Sequence, residues 1–129
     1  MSQKTKNMAA RLGAVQALYQ ASQNKQSVEK LIDEYLNHRV SMEIGEDTLV
    51  KMDGVLFKKI ITGTYERAAE IEAIILENYN KSKEIEPLLK AIMMCGIYEL
   101  LSRTDTDFPI IINDYLNITH SFYGQSEAG

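Results

Sequence analysis

Proline and cysteine are scarce in this chain of 129 residues. The two prolines, Pro87 and Pro109, leave long stretches that are free to form helices. The single cysteine, Cys95, excludes an internal disulfide, and its place in an apolar run predicts a small buried side chain. The length predicts one domain, residues 1–129, with a core of its own.

Long hydrophobic runs are also missing from the sequence. No apolar run approaches the roughly 18 residues that a membrane span needs. The first six residues, MSQKTK, lack the apolar segment of a signal peptide. Together with the single cysteine, these absences predict a cytoplasmic protein that does not enter a membrane.

The sequence also lacks the residue patterns that support catalysis. Neither of its two histidines, His38 and His120, has a partner at a metal-ligand spacing. The seven glycines are scattered, which excludes a Gly-rich phosphate loop. Glu84 and Glu86 form a pair of carboxylates, but their place before a predicted helix favours interaction with the helix dipole. We therefore expect no enzymatic activity, no metal, no cofactor and no small-molecule substrate.

Charge is distributed unevenly along the chain, whose net charge is −4. The first 28 residues contain four basic side chains and no acidic one, so the remainder carries −8. This asymmetry predicts a positive N-terminal face on an acidic body, although a basic terminus can also arise by chance. A positive face can meet phosphate, and an acidic body can meet a basic protein.

Hydrophobic periodicity predicts five or six helices and no convincing strand. A stretch from His38 to Glu46 alternates polar and apolar residues, but we find no strand to pair with it and predict a loop. Gly63 marks a bend or a break in the longest helix. The predicted helices cover residues 4–22, 27–37, 47–79, 87–101 and 107–122. The predicted fold class is an all-α bundle.

The best binding signal lies in the first predicted helix. Lys4, Lys6 and Arg11 offer phosphate contacts, while Gln16 and Tyr19 could meet unstacked bases. The alternative for Tyr19 is a core aromatic with its hydroxyl at the rim. The doublet at residues 113–114, Asn-Asp, either braces a neighbouring loop or makes a binding contact.

Three segments of the chain, in order, resemble the NusB family. Residues 10–20, ARLGAVQALYQ, look like the family's opening helix, which typically reads Ala-Arg and then Ala-x-Gln-Ala-Leu-Tyr. Residues 97–103, IYELLSR, are similar to the family's Tyr-Glu-Leu segment, and residues 108–114, FPIIIND, to its Pro-anchored helix with an Asn-Glu doublet. Asp53, Phe57, Gly63 and Ile71 lie at compatible spacing, so the resemblance covers nearly the whole chain.

This resemblance implies a fold of two small helical bundles and a role in transcription antitermination. It implies binding, together with the ribosomal protein NusE, to boxA-type single-stranded RNA of ribosomal RNA leaders, within the RNA polymerase antitermination complex. The expected RNA contacts are Lys4, Lys6, Arg11, Gln16, Tyr19 and Arg103. The expected contacts to the protein partner, from the acidic balance and the family analogy, are Glu84, Glu86 and Asp114.

The chain departs from the family pattern in three places. Asn7, Met8 and Ala9 stand where several arginines are common, and the aromatic and arginine signature is absent around residues 83–89. The family continues with another helix where this sequence stops at Gly129, which indicates a shortened sequence or a lost helix. Two alternatives follow: a protein-interaction domain that has lost RNA binding, or a fragment of an RNA methyltransferase that carries a NusB-like domain.

Overall fold

The computed structural model describes residues 2–38, 41–43, 49–79, 85–102 and 106–124. These residues form six helices and one short hairpin: α1 (Gln3–Asn24), α2 (Val28–His38), β1 (Ser41–Glu43), β2 (Leu49–Lys51), α3 (Gly54–Glu66), α4 (Ala68–Asn78), α5 (Pro87–Leu101) and α6 (Phe108–Tyr123). The predicted all-α class is confirmed. None of the helices in these ranges has the length and apolar composition that a membrane span requires.

The chain divides into two compact units, residues 1–62 and residues 63–129, which we call the N-terminal and C-terminal units. In the N-terminal unit, α1 packs on α2 and on both strands of the hairpin. Small residues along α1 are buried and allow this close packing: Ala9, Ala10, Gly13, Ala14, Ala17 and Ala21. Ser27 precedes α2 as predicted, and its Oγ accepts a hydrogen bond from the Lys30 amide at 3.4 Å.

The hairpin corrects our prediction of a loop. Ser41 pairs with Lys51, and Glu43 pairs with Leu49, in antiparallel register. The pairing strand lies in residues that the hydrophobic periodicity assigns to the third helix, because Val50 fits a helical spacing as well as a strand. That helix therefore begins at Gly54 rather than near residue 47.

The long third helix breaks at Arg67, four residues after the predicted site. Gly63 lies inside α3, where a Cβ atom would overlap the ring of Tyr98. The glycine is therefore explained by the close approach of an aromatic side chain and not by a bend.

The C-terminal unit is built on α4, α5 and α6, with α5 in contact with both other helices. The prediction for α5 is confirmed at both ends, and α6 begins after Asp107 with Pro109 in its first turn. The Asp107 side chain makes no capping bond. The Tyr115 hydroxyl donates to Oε1 of buried Glu99 at 2.7 Å, which satisfies a carboxylate inside the unit. The Tyr-Glu-Leu segment of the resemblance thus has a structural role here.

Candidate nucleic-acid interface

The middle of α1 is enclosed on all sides. Every residue from Ala9 to Val15 is buried, and seven consecutive residues span almost two helical turns. Such a helix offers contacts to a ligand only near its ends. Lys4 and Lys6 lie before the enclosed turns, while half-buried Gln16 and Tyr19 lie after them.

The enclosure separates the predicted RNA contacts into two groups. Lys6 and Gln16 are ten residues apart, which corresponds to about 15 Å along a helix axis. Lys4 is exposed and Lys6 is half-buried. A strand that met both groups would have to cross this distance, so the structure does not bring the predicted contacts together at one point.

Arg11 lies within the enclosed turns and is only 1% exposed. Its guanidinium, which stays charged in proteins, already makes interactions inside the protein. The prediction that Arg11 faces phosphate is therefore not supported, because a buried side chain has no surface to offer an RNA strand. The sequence pattern did not indicate this burial, since a cation on a helix is usually solvated.

A cleft of about 490 Å³ opens beside the first turns of α1 in the N-terminal unit. Its described lining residues include three lysines: Lys6 from α1, Lys51 from β2 and Lys58 from α3. Sequence reasoning missed Lys51 and Lys58, because they are 45 and 52 residues from Lys6 and only the tertiary fold places them in the same cleft. No local pattern in the sequence could have indicated them.

Hydrogen bonds attach the start of α1 to the segment between β2 and α3. The Asp53 amide donates to the Lys6 carbonyl at 3.1 Å, and Gln3 Nε2 donates to Asp53 Oδ2 at 2.7 Å. The other carboxylate oxygen, Asp53 Oδ1, accepts from the Leu56 amide at 3.0 Å and so caps α3. The position of Asp53, noted in the resemblance, therefore has a structural explanation.

The predicted contacts to the protein partner in the C-terminal unit differ in their burial. Asp114 is 4% exposed and engaged inside the protein, so a surface contact by its side chain is not supported. Glu86 is exposed and caps α5, accepting from the amides of Leu88 and Leu89 at 3.2 Å and from the Tyr123 hydroxyl. The Tyr123 hydrogen bond is the main cause that lowers the pKa of Glu86. Glu84 and Arg103 lie outside the described residues.

An exposed apolar stripe runs along α6 in the same unit. Phe108, Ile112 and Leu116 follow one another at intervals of four residues, and each is about half exposed. Beside them lies an apolar groove of about 270 Å³ between α5 and α6, lined in part by Met93 and Ile97. Exposed apolar surface of this kind is typical of protein interaction sites.

No catalytic arrangement is apparent among the residues that the structure describes. They contain no group of three His, Cys, Asp or Glu side chains that could hold a metal ion. Burial strongly raises the pKa of the Cys95 thiol, and the Glu99 carboxylate adds to the rise. The thiol is therefore protonated at neutral pH, which suits a core side chain and not a nucleophile.

The sequence of this chain is similar to a known protein family and to several of its members. The sequence model of the NusB family matches residues 8–129. A transcription antitermination protein NusB from Sphingopyxis alaskensis is 36% identical over 124 residues, which cover 94% of this chain and 83% of the relative. Proteins of the same name from Allorhizobium ampelinum and Novosphingobium aromaticivorans are 34% and 32% identical, over 96% and 93% of this chain and 81% and 83% of the relatives.

Proposed function

The chain belongs to the NusB family, and from this membership we propose that it binds boxA-type single-stranded RNA together with the ribosomal protein NusE. Its relatives are named transcription antitermination proteins, and antitermination is the role that we assign to this chain. The chain acts as a non-catalytic component of the RNA polymerase antitermination complex in the bacterial cytoplasm.

The observation that carries the RNA part of this proposal is the charge of the N-terminal unit. This unit has nine basic and seven acidic residues, a net charge of +2, although the whole chain carries −4. Lys4 and Lys6 stand at its edge and are available for phosphate contacts, whereas Arg11 is not. A locally positive surface on an acidic protein attracts a polyanion that the rest of the molecule repels.

Fluorescence anisotropy with a boxA-like strand, with and without the ribosomal partner, tests RNA binding. We expect weak binding by the chain alone and tighter binding when the partner is present. The Lys4→Gln/Lys6→Gln variant should flatten the slope of log affinity against log salt by about 1.4, since each phosphate contact contributes about 0.7 on a single strand. Lys30→Gln, at an exposed position of α2, is the control that should leave the slope unchanged.

Tyr19 and Gln16 remain proposed base contacts at the far end of the enclosed turns. If a base stacks on Tyr19, Tyr19→Ala should cost about 1–3 kcal/mol of RNA affinity. Because the ring is half-buried, the same variant must be checked by thermal denaturation. RNA affinity that falls only in proportion to the loss of folded protein would assign Tyr19 to the core.

The protein partner, in our proposal, docks on the C-terminal unit. This unit has five basic and eleven acidic residues, a net charge of −6, which complements a basic ribosomal protein. The apolar stripe of α6 supplies a surface that can be buried in the complex. Glu84 and Glu86 remain proposed contacts, while Asp114 is withdrawn because of its burial.

Substitutions in the apolar stripe test the docking surface without disturbing the Glu86 cap. The Ile112→Gln/Leu116→Gln variant should weaken the complex with the partner by about tenfold or more, because two buried interface residues that lose about 1 kcal/mol each together exceed the roughly 1.4 kcal/mol of a tenfold change. Ile110→Gln is the matched control, because Ile110 is also exposed but lies on another face of α6. Equal partner affinity for all three proteins would exclude this face.

One observation favours a second candidate function, a protein-interaction domain that has lost RNA binding. The burial of Arg11 removes one of the few cations that the N-terminal helix could present. RNA binding that stays absent even with the ribosomal partner, while the partner itself is bound, would establish this alternative.

A further inference from the structure

We propose that Lys6, Lys51 and Lys58 form a lysine cleft that holds the phosphate backbone of single-stranded RNA at the junction of α1, β2 and α3. The inference rests on the proposed RNA-binding function and extends it to two residues far from the N-terminal segment. It also predicts that these lysines contribute to RNA affinity independently of the base sequence.

The tertiary fold assembles the cleft from three separate elements. Lys6 is delivered by the first turns of α1, Lys51 by the end of β2, and Lys58 by the second turn of α3. The bond from the Asp53 amide to the Lys6 carbonyl joins α1 to the segment that connects the other two elements. The three positive charges are therefore held near one another by the backbone of the N-terminal unit.

The described residues of the cleft carry more positive than negative charge. Among the residues that the structure describes, none of the three lysines forms an ion pair. Of the described lining residues only Asp53 is acidic, and both of its oxygens already accept hydrogen bonds, from Gln3 and from the Leu56 amide. The charged side chains among the described lining residues therefore sum to +2, which favours a polyanion.

The lining also indicates which part of the RNA is bound. It has no aromatic side chain among its described residues, so it lacks the stacking surface that usually holds a nucleobase. Lysine presents a point charge, which suits phosphate and reads no base sequence. Val55, 82% exposed at the edge, offers an apolar surface that a ribose or base can contact without specificity.

A salt titration of RNA affinity, in the presence of the ribosomal partner, tests the cleft through Lys51 and Lys58 alone. The Lys51→Gln/Lys58→Gln variant should flatten the log–log salt slope by about 1.4. If affinities agree near 1 M salt, the variant should bind about 25-fold more weakly at about 0.1 M. The loss should be equal for a boxA-like strand and a scrambled strand of the same length.

Two further variants separate charge from folding. Lys59→Gln/Lys30→Gln removes two exposed lysines of the same unit, one of them adjacent to Lys58, that do not line the cleft. This control should keep the parent's slope. Lys51→Arg/Lys58→Arg conserves the charge and should also keep the parent's salt slope. A structural role for the lysines would instead lower the melting temperature of Lys51→Gln/Lys58→Gln below that of the parent.

The outcomes distinguish a failure of the lysine cleft from a failure of the proposed function. If the parent binds RNA and the Lys51→Gln/Lys58→Gln variant binds it with the same affinity and salt slope, the cleft is overturned and the proposed function is not. A parent that binds neither strand, with or without the partner, would overturn the proposed function and the cleft with it. If the Lys51→Gln/Lys58→Gln variant binds the ribosomal partner more weakly than the parent does in the absence of RNA, the two lysines contact the protein partner. That result would overturn the cleft as an RNA site.

Discussion

The N-terminal and C-terminal units are almost equal in length but differ in charge and in what they bury. The N-terminal unit carries +2 and encloses a helix of small residues, whereas the C-terminal unit carries −6 and buries the carboxylates of Glu99 and Asp114. The aromatic residues Tyr35 and Phe57 stack in the first unit, while Phe108 stands exposed on α6 of the second. One chain thus presents two chemically distinct surfaces.

This difference in charge suits the proposed function, in which RNA and a basic protein bind to different units. A uniformly acidic protein would repel RNA, and a uniformly basic one would repel a basic ribosomal protein. Separating the charges along the chain allows each unit to meet a partner of opposite charge. The comparison can be tested by substitutions that have different consequences in the two units.

The largest expected effect is the loss of the aromatic stack in the N-terminal unit. Phe57 is fully buried, with its ring centroid 5.4 Å from that of Tyr35. Phe57→Ala should lower the free energy of unfolding by about 3–5 kcal/mol, because it leaves a cavity in the core. Phe108→Ala is the matched substitution in the C-terminal unit and should change it by no more than about 0.5 kcal/mol. Urea denaturation measures both, and similar losses would contradict the assignment of Phe108 to an exposed surface.

A smaller effect is expected from two glycines within the C-terminal unit. Gly63→Ala should destabilise the protein by about 1–3 kcal/mol, because the new methyl group overlaps the Tyr98 ring. Gly96→Ala should be neutral or stabilise by up to about 1 kcal/mol, since its Cβ would lie 3.4 Å from Tyr115 Cγ and alanine favours helix. Thermal denaturation of the two variants should therefore shift in opposite directions or differ clearly in size, and equal shifts would remove the packing explanation for Gly63.

The smallest expected effect distinguishes the helix caps of the two units. Ser2 caps α1 through Oγ, which accepts from the Thr5 amide at 3.2 Å, so Ser2→Ala should cost about 1 kcal/mol at every pH. Glu86 caps α5 with an ionisable group whose pKa is lowered from its ordinary value of 4.5, mainly by Tyr123. Its contribution is complete above 4.5 and is lost as the pH falls through the lowered pKa.

Thermal melts from pH 6 to pH 3 check this contrast. The difference in melting temperature between the parent and Glu86→Gln should shrink below pH 4.5, while the difference between the parent and Ser2→Ala should stay constant. A Glu86 difference that does not change with pH would mean that the carboxylate charge contributes nothing to the cap.

Local sequence patterns predicted much of the helical framework because helix ends depend on nearby residues. Pro87 and Ser27 marked the starts of α5 and α2, since both signals act within one helical turn. The hairpin was missed because pairing joins Ser41 to Lys51, and such pairing depends on a partner strand that local periodicity does not identify. The prediction placed the helix break at Gly63 instead of Arg67. Gly63 is a glycine because the Tyr98 ring, from another helix, leaves no space for a side chain there.

The candidate interface, like the fold, could be predicted only in part from the sequence. By itself, the sequence determined the all-α class, the NusB-type order of segments and the positive N-terminal end, because composition, periodicity and charge are properties of neighbouring residues. Only the tertiary structure decided that Arg11 and Asp114 are buried and that Lys51 and Lys58 join Lys6. The physical reason is that burial and charge clustering depend on which elements cover one another, and contacts between residues some 50 positions apart leave no periodic signal in the sequence.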